Sequence, residues 1–516
     1  MKLIRFILLC ILFHPSLSHA QTQETPKNEL LDLWESCYAR DSLGRDHRIG
    51  YSHVFTEKVM NNGIIGVRCT RELRLTFKRD GQLSQLRADV GCEESEAGTI
   101  TATFMKHWIG TNQSLDMKGL VTPDGKHLKL SITSSKKVDR EIPWSDKIIS
   151  TRKELSIYKL KNIRPGEKFT YQIFEPSIAY TVNINVVVKG EEAVVPPQGG
   201  KRTLLRVEAI PEKIQNVQLP AAINWCDPKT LEVVLSQIDM PDLGLLTFQR
   251  STKQVATGPL GDVPDLMKQQ AIRLNERLSG DVHGLRSITF RLTPKKGVNA
   301  SELLKSDDRQ VMKERTDGSL ELIITAIRQP VKKDKMAPVA KEYTESNHFI
   351  NSDDAEVQAL ARKAIGTLKN PWDQARAIER WVRSNMKVAN YTEALATADH
   401  VAKTLSGDCT EYSMLTAAMC RAVGIPSRTA IGLIYVDSPS FGGPALAFHM
   451  WTEVYIEGQW LGLDATLGRG MVGPGHIKIT DHSWYNVSSV KPLLPVMGFI
   501  MAKPKIEILE AAKEPR

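Results

Sequence analysis

From Gly50 to about Val255, apolar and polar residues alternate with a period of two. RELRLTFKR at 71–79, KHLKLSITSS at 126–135, ELSIYKL at 154–160 and FTYQIFE at 169–175 follow this pattern, as do YTVNINVVVKG, KRTLLRVEAI and LEVVLSQI further on. Each such run presents one apolar and one polar face. Asp80-Gly81, Pro123-Asp124-Gly125, Arg164-Pro165-Gly166 and Gly199-Gly200 punctuate them with chain-reversing residues. Strands with one wet and one dry face predict a large antiparallel sheet, curved or barrel-like. No fixed period links the runs, so they are not a sequence repeat. Residues 28–40, NELLDLWESCYAR, read as a short amphipathic helix before the sheet, and 262–278 as a helical connection after it. Two more strands follow, RSITFRLTP from 286 and SLELIITAIRQ from 319, and the Lys- and Pro-rich stretch 330–341 reads as a linker.

The period then becomes helical. Val357, Leu360, Ala364 and Leu368 share one face of a helix opened by Ser352-Asp353-Asp354. Asn370-Pro371-Trp372-Asp373 opens a second by cap, proline and acid, with Ile378, Trp381 and Val382 as its stripe. A third begins at Asp408, an N-cap that Glu411 completes as a capping box, and stops at Gly424-Ile425-Pro426. TAIGLIYV at 429–436 reads as a strand, and a Pro/Gly/Ser-rich loop follows at 437–444. His449 to Ile456, a Glu457-Gly458 turn, and Gln459 to Asp464 then form an antiparallel hairpin. In its first strand Met450, Thr452, Val454 and Ile456 make the outward set, and His449, Trp451, Glu453 and Tyr455 the other.

Length and charge narrow the setting. The 516 residues suggest about three domains, and 41% hydrophobic content is ample for more than one core. The chain opens with Lys2 and Arg5, a short apolar run to Phe13, and Ser18-His19-Ala20, the pattern of a secretory signal cleaved after Ala20. That predicts a secreted or periplasmic protein. The apolar run is too short for a transmembrane anchor, and Leu493 to Ala502, interrupted by Pro495 and Gly498, is no better. Formal charge is +9, of which Lys2 and Arg5 account for two, leaving +7 without a sustained basic stripe. A nucleic-acid partner is therefore not expected. Of seven cysteines, Cys10 lies in the signal. Cys37, Cys69, Cys92 and Cys226 could form two bridges in any of three connectivities. Cys420, about three helical turns from Cys409, is expected to be a core thiol.

The chemistry gathers after residue 400. Cys409, first in its helix, sits beside unpaired N–H groups and the positive end of the macrodipole, which favour a thiolate. The hairpin brings His449 and Asp464 to the same end, as a carboxylate that holds an imidazole requires. GDCTEYS, AVGIPSRTAIGLIYV, FHMWTEVYIEGQW and LGLDAT, in that order, resemble the core of the transglutaminase-like superfamily, which shares its catalytic logic with papain-like cysteine proteases. The resemblance covers roughly residues 346 to 480. It implies Cys409 as nucleophile, His449 as general base and acid, and Asp464 as the residue that orients the histidine. Ala465 stands where the family usually has proline. The family's oxyanion hole uses the nucleophile's backbone N–H and an upstream donor, for which Tyr391 is the candidate.

The expected fold class is α+β, with a C-terminal transglutaminase-like, papain-like domain preceded by a large antiparallel β-rich region. The expected divisions are a signal at 1–20, a β-rich domain at 21–255, a second β-rich segment and linker at 256–345, and the transglutaminase-like domain at 346–516. The expected activity is on amide bonds of a protein or peptide substrate through a thioester, as peptidase, deamidase or protein-glutamine acyltransferase. A catalytically silent envelope binding module is the alternative. The run at Gly468 to Gly473 spells a dinucleotide fingerprint, but Pro474-Gly475 follows where a helix should open, so it is a loop. Neither HExxH, paired CxxC nor an EF-hand loop is present, so no metal or other cofactor is expected. Substrate, acyl acceptor and oligomeric state are not legible.

Overall fold

In a computed structural model of the chain, the described residues run from 30 to 513, apart from 42, 62–63, 80, 110–112, 134–136, 215–216, 241–242, 266–270, 296–297, 334–337, 389–395 and 486–490. The signal-like segment at 1–20 lies outside them. The described residues divide near residue 270 into two compact units.

The first unit is built on one fourteen-stranded antiparallel sheet. Its first eight strands form a meander from Asp32–Arg40 to Lys137–Pro143. The remaining six run back from Gly244–Ser251, which pairs with Asp32–Arg40, to Lys168–Glu175 at the far edge. Residues 32–40 are therefore a strand and not the helix that their spacing suggested. Leu33, Glu35, Cys37 and Ala39 alternate inward, and pairing on both sides, to Asp46–Asn61 and Gly244–Ser251, outweighs a local helical pattern.

The opposite correction applies to ELSIYKL. Thr151–Lys161 is a helix, capped by Ser150, whose side chain accepts from the Lys153 N–H, and ended by Asn162 in a left-handed conformation. Leu155 packs into a core of Leu33, Val54 and Cys69. Glu154 accepts from the Tyr171 hydroxyl at 3.1 Å and Tyr158 from Asn224 at 3.0 Å, so the buried polar groups of the helix are paired with strand side chains. Period-two spacing cannot register such a cap, and the cap decides. No helix forms over the described part of 262–278. Lys78 N–H donates to the Pro264 carbonyl at 2.9 Å and Lys78 bridges Asp265, an extended path that gives Val263 a buried place.

The four cysteines of this unit are buried free thiols, not two bridges. Cys37 and Cys226 lie on strands separated by two others, about 14 Å apart at the spacing of neighbouring strands, beyond the span of a disulfide. Cys69 and Cys92 face each other across paired strands and remain thiols.

The second unit is mixed, with helices beside two small sheets and a two-stranded parallel pair, Lys387–Val388 with Ser406–Gly407. In one, Ser427–Ser438 lies between Gly443–Ile456 and His476–His482, and Gln459–Leu463 and Ile272–Arg273 also pair with Gly443–Ile456. In the other, Ser287–Thr293 lies between Leu320–Thr325 and the last strand, Lys505–Ala512. Helices Ala355–Ile365 and Pro371–Asn385 carry the predicted caps, Asp354 and Asn370.

The outward set of the His449 strand is not outward. Met450, Thr452 and Val454 are as buried as Trp451 and Glu453, because this sheet is covered on both sides. Helix Cys409–Ala422 lies against the strand, which Thr452 joins by donating to the Ser413 carbonyl. Elsewhere the Gln310 side chain exchanges hydrogen bonds with the Lys478 backbone, at 2.7 and 2.8 Å, and the Arg309 guanidinium donates to the carbonyls of Gly473 and His476.

Candidate active site

Helix Cys409–Ala422 is fixed at both ends by its own sequence. Asp408 accepts from the Thr410 N–H at 3.2 Å, and the Glu411 carboxylate accepts from the Asp408 N–H at 3.0 Å, completing the predicted capping box. Glu411 also accepts from the Thr410 hydroxyl and the Ala396 N–H, so its buried charge is fully engaged. The chain enters through Gly407, whose φ is +154°. A Cβ there would lie 2.3 Å from the Glu411 Cβ, so only glycine admits the folded-back carboxylate. At the other end Gly424 N–H donates to the Arg421 carbonyl and Ile425 N–H to that of Cys420, both at 2.9 Å. This is the Schellman pattern. Cys409 is thus held at the first turn with its backbone and sulfur in a nearly water-free setting.

His449 lies within strand Gly443–Ile456 rather than at its start, because residues 443–448 continue the pairing with 433–438. The shorter partner strand ends at Leu463, opposite Thr452, so Asp464 leaves the sheet close to His449. His449 Nε2 stands 2.8 Å from Asp464 Oδ2. His449 is also hydrogen-bonded with the Cys409 side chain. Asp464 Oδ1 accepts from the backbone N–H and the hydroxyl of Thr466, at 2.9 and 2.5 Å. The residues expected from sequence as nucleophile, base and orienter are therefore contiguous. Tyr391, the candidate oxyanion donor, falls outside the described residues.

One member was not foreseen. His476 Nε2 stands 3.0 Å from the same Asp464 Oδ2, and the ring is fully buried. It arrives on strand His476–His482, which runs beside Ser427–Ser438 and so one strand from His449. Close passage of these strands depends on Gly432, paired with His449, because a Cβ there would lie 1.9 Å from the Ile477 carbonyl oxygen. The sequence signal was a histidine opening an alternating run after the glycine-rich loop. His449, Asp464 and His476 bring their ligand atoms within 4.8 Å of one another, near enough for one cation. Both imidazoles are nevertheless placed as donors to one carboxylate oxygen, and hydrogen bonding accounts for the set.

The electrostatics follow from burial and from these contacts. Burial alone would drive the proton off His449, but the charge and hydrogen bond of Asp464, helped by Cys409, push it up to about 10. Burial raises the Cys409 thiol and the charge of Asp408 adds to that rise, while the hydrogen bond and charge of His449 act in the opposite direction. Burial would also raise Asp464, but the two histidines hold it well below the usual carboxylate range. His476 is pushed down to about 3, burial outweighing Asp464. The contacts of His449 with Asp464 and Cys409 act in the direction of a thiolate–imidazolium pair braced by a carboxylate.

The glycine-rich loop after Asp464 is tied down from below. Gly470 N–H donates to Glu379 at 2.8 Å, and Glu379, buried on helix Pro371–Asn385, is pushed up to about 7 by that burial, with the charge of Asp464 adding to it. Neither Glu379 nor Thr466 was singled out by sequence, since nothing local marks a long-range bond.

Residues 358–465 match the family model of the transglutaminase-like superfamily, so this chain carries a transglutaminase-like domain. Over 84 residues it is 33% identical to the kyphoscoliosis peptidase of Mus musculus, a match spanning 16% of this chain and 12% of that protein. Among solved structures it is similar to a proposed cysteine protease from Cytophaga hutchinsonii, at 21% identity and TM-score 0.27, covering 39% of this chain and 79% of that one. The periplasmic domain of TgpA from Pseudomonas aeruginosa, bound to ethylmercury, is similar at 18% identity and TM-score 0.21, covering 36% of this chain and 91% of that one. A β-barrel-like protein from Brucella abortus is similar at 11% identity and TM-score 0.29, covering 43% of this chain and 95% of that one.

Proposed function

We propose that this chain is an exported cysteine-dependent enzyme acting on amide bonds of protein or peptide substrates. The observation that carries the reading is His449, hydrogen-bonded at once to Asp464 and to Cys409. In the proposed reaction the Cys409 thiolate attacks an amide carbonyl carbon, and the carbonyl electron pair moves onto oxygen. The Cys409 backbone N–H offers a donor to that oxyanion, worth about 3 kcal/mol of barrier if well aimed. Collapse expels the nitrogen, protonated by His449, and leaves a thioester on Cys409. Water attacking it completes hydrolysis, as in a peptidase or deamidase; a primary amine completes a cross-link. Hydrolysis is the preferred outcome, since water is the acceptor always present. The export reading rests on the signal pattern at residues 1–20. Among the described residues no helix is long and apolar enough to cross a membrane.

The test is the rate of Cys409 alkylation by iodoacetamide as a function of pH, with His449→Ala as control, followed by amide-substrate turnover against Cys409→Ala. A rate plateau well below the free-thiol pKa of about 8.5, absent in the control, supports the reading. Reactivity that rises only near the free-thiol value would favour the silent binding module.

A further inference from the structure

We infer that His476 is a positioning residue of this site: a buried, neutral imidazole that donates its Nε2–H to Asp464 and fixes the carboxylate on which His449 depends. The inference deepens the proposed function and rests on it for its catalytic meaning.

Oxygen Oδ2 of Asp464 meets Nε2 of both histidines, at 2.8 Å from His449 and 3.0 Å from His476. A carboxylate can only accept, so each of these nitrogens carries a proton. The two rings then differ in what remains. His449 has Cys409 as a further partner. Among the described residues Nδ1 of His476 has no hydrogen-bond partner, in a ring with no exposed surface. Trp451 and His283 pack edge-on against that ring, each 5.2 Å away between centroids, and the ring of His449 lies 5.8 Å away. The Arg309 guanidinium bonds the carbonyl oxygens of His476 and Gly473, and Arg469 pairs with Asp281. A second proton on Nδ1 would therefore be a fully buried charge with no acceptor among the described residues, and the ring stays neutral. Its depressed pKa, about 3, agrees.

His476 thus supplies a hydrogen bond without supplying a charge. Together with the N–H and hydroxyl of Thr466 on Oδ1, it brings Asp464 to four donors, as many as a carboxylate has lone-pair positions. A carboxylate so filled neither rotates nor gains a proton. Its negative charge remains aimed at His449, and the imidazolium it stabilises in turn stabilises the thiolate.

The test compares wild type, His476→Ala and His476→Gln by the pH dependence of Cys409 alkylation. Ring ¹⁵N NMR of the wild type provides a second readout. Glutamine keeps an N–H donor near the Nε2 position. His476→Ala is expected to lower the alkylation rate at pH 6 about tenfold, equivalent to one pKa unit, with the high-pH limit unchanged. His476→Gln is expected to restore most of it, and the His476 ring should stay neutral and Nε2-protonated from pH 5 to 9. Equal profiles for all three proteins, or equal impairment of both variants, would overturn the inference, as would a His476 ring titrating near its ordinary value. Wild-type reactivity of free-thiol type would instead overturn the proposed function, and the ring spectrum would still decide whether His476 is the neutral donor. Should His476→Ala fail to fold, His476→Gln and the ring spectrum carry the decision.

Discussion

The Thr452 hydroxyl donates to the Ser413 carbonyl at 3.0 Å, joining the strand that carries His449 to the helix that carries Cys409. Thr452 is three residues beyond His449 and Ser413 four beyond Cys409, so this bond helps fix the spacing of His449 and Cys409. Thr452→Val keeps the volume and removes the donor. The expected loss is about 1 kcal/mol of stability, read by urea unfolding. Alkylation of Cys409 at pH 6 should fall several-fold, and an unchanged rate would show that other contacts set the spacing.

Gly407→Ala should damage the nucleophile helix more than loss of its cap. A Cβ at 407 collides with Glu411, which bonds the Asp408 N–H, the Thr410 hydroxyl and the Ala396 N–H. Cap loss near 1 kcal/mol and backbone strain together give about 2–4 kcal/mol. Asp408→Ala, which removes the cap alone, should cost about 1 kcal/mol. Parity of the two in denaturant titration would contradict the steric argument.

Glu379 should contribute stability that is lost as pH rises from about 4.3 to about 7. His476 contributes in the opposite direction, since its folded value of about 3 makes stability rise with pH up to about 6.5. The folded pKa of Glu379, about 7, lies above the unfolded value of about 4.3, so within that window unfolding releases a proton. Below the window both states hold the proton, and above it both have lost it. The change amounts to about 4 kcal/mol at most. Glu379→Gln keeps an acceptor for the Gly470 N–H and should remove this part of the slope. Glu154 and Glu175, pushed up by burial to about 7 and about 8, act with the same sign in the first unit. Unfolding midpoints at pH 5 and pH 7.5 measure the effect, and an undiminished slope in Glu379→Gln would assign it elsewhere.

Only one of the six described thiols should react quickly in the native protein. Cys37, Cys69, Cys92, Cys226 and Cys420 are buried, and burial pushes each thiol up, Cys92 to about 12. At Cys409 alone a histidine, His449, acts in the opposite direction. Peptide-mapped labelling at pH 6.5 should find Cys409 first and the other five only on unfolding. Comparable labelling of Cys69 or Cys92 would contradict the packing described for them.

Much of the second unit was legible because its signals are local. The cap at Asp408, the glycine–proline stop after Val423 and the Glu457-Gly458 turn each act within four residues, and they mark out the helix of Cys409 and the hairpin of His449. Residues 32–40 and 154–160 misled because their patterns satisfy two periods. Strand partners almost the whole unit away decide the first and the Ser150 cap decides the second. His476 and Glu379 were illegible for another reason. Their partners, Asp464 and Gly470, are reached only through packing of elements distant in sequence.

The pairing of Ser287 with Ala512 bears on when the second unit can be finished. Chain synthesis is vectorial, and the edge of Ser287–Thr293 that faces Lys505–Ala512 stays unpaired until the ribosome has passed residue 512. Until then an open β-edge lies on a partly made protein, the kind of surface that recruits neighbouring chains. Delayed closure of this sort makes Lys505–Ala512 the strand that completes this sheet.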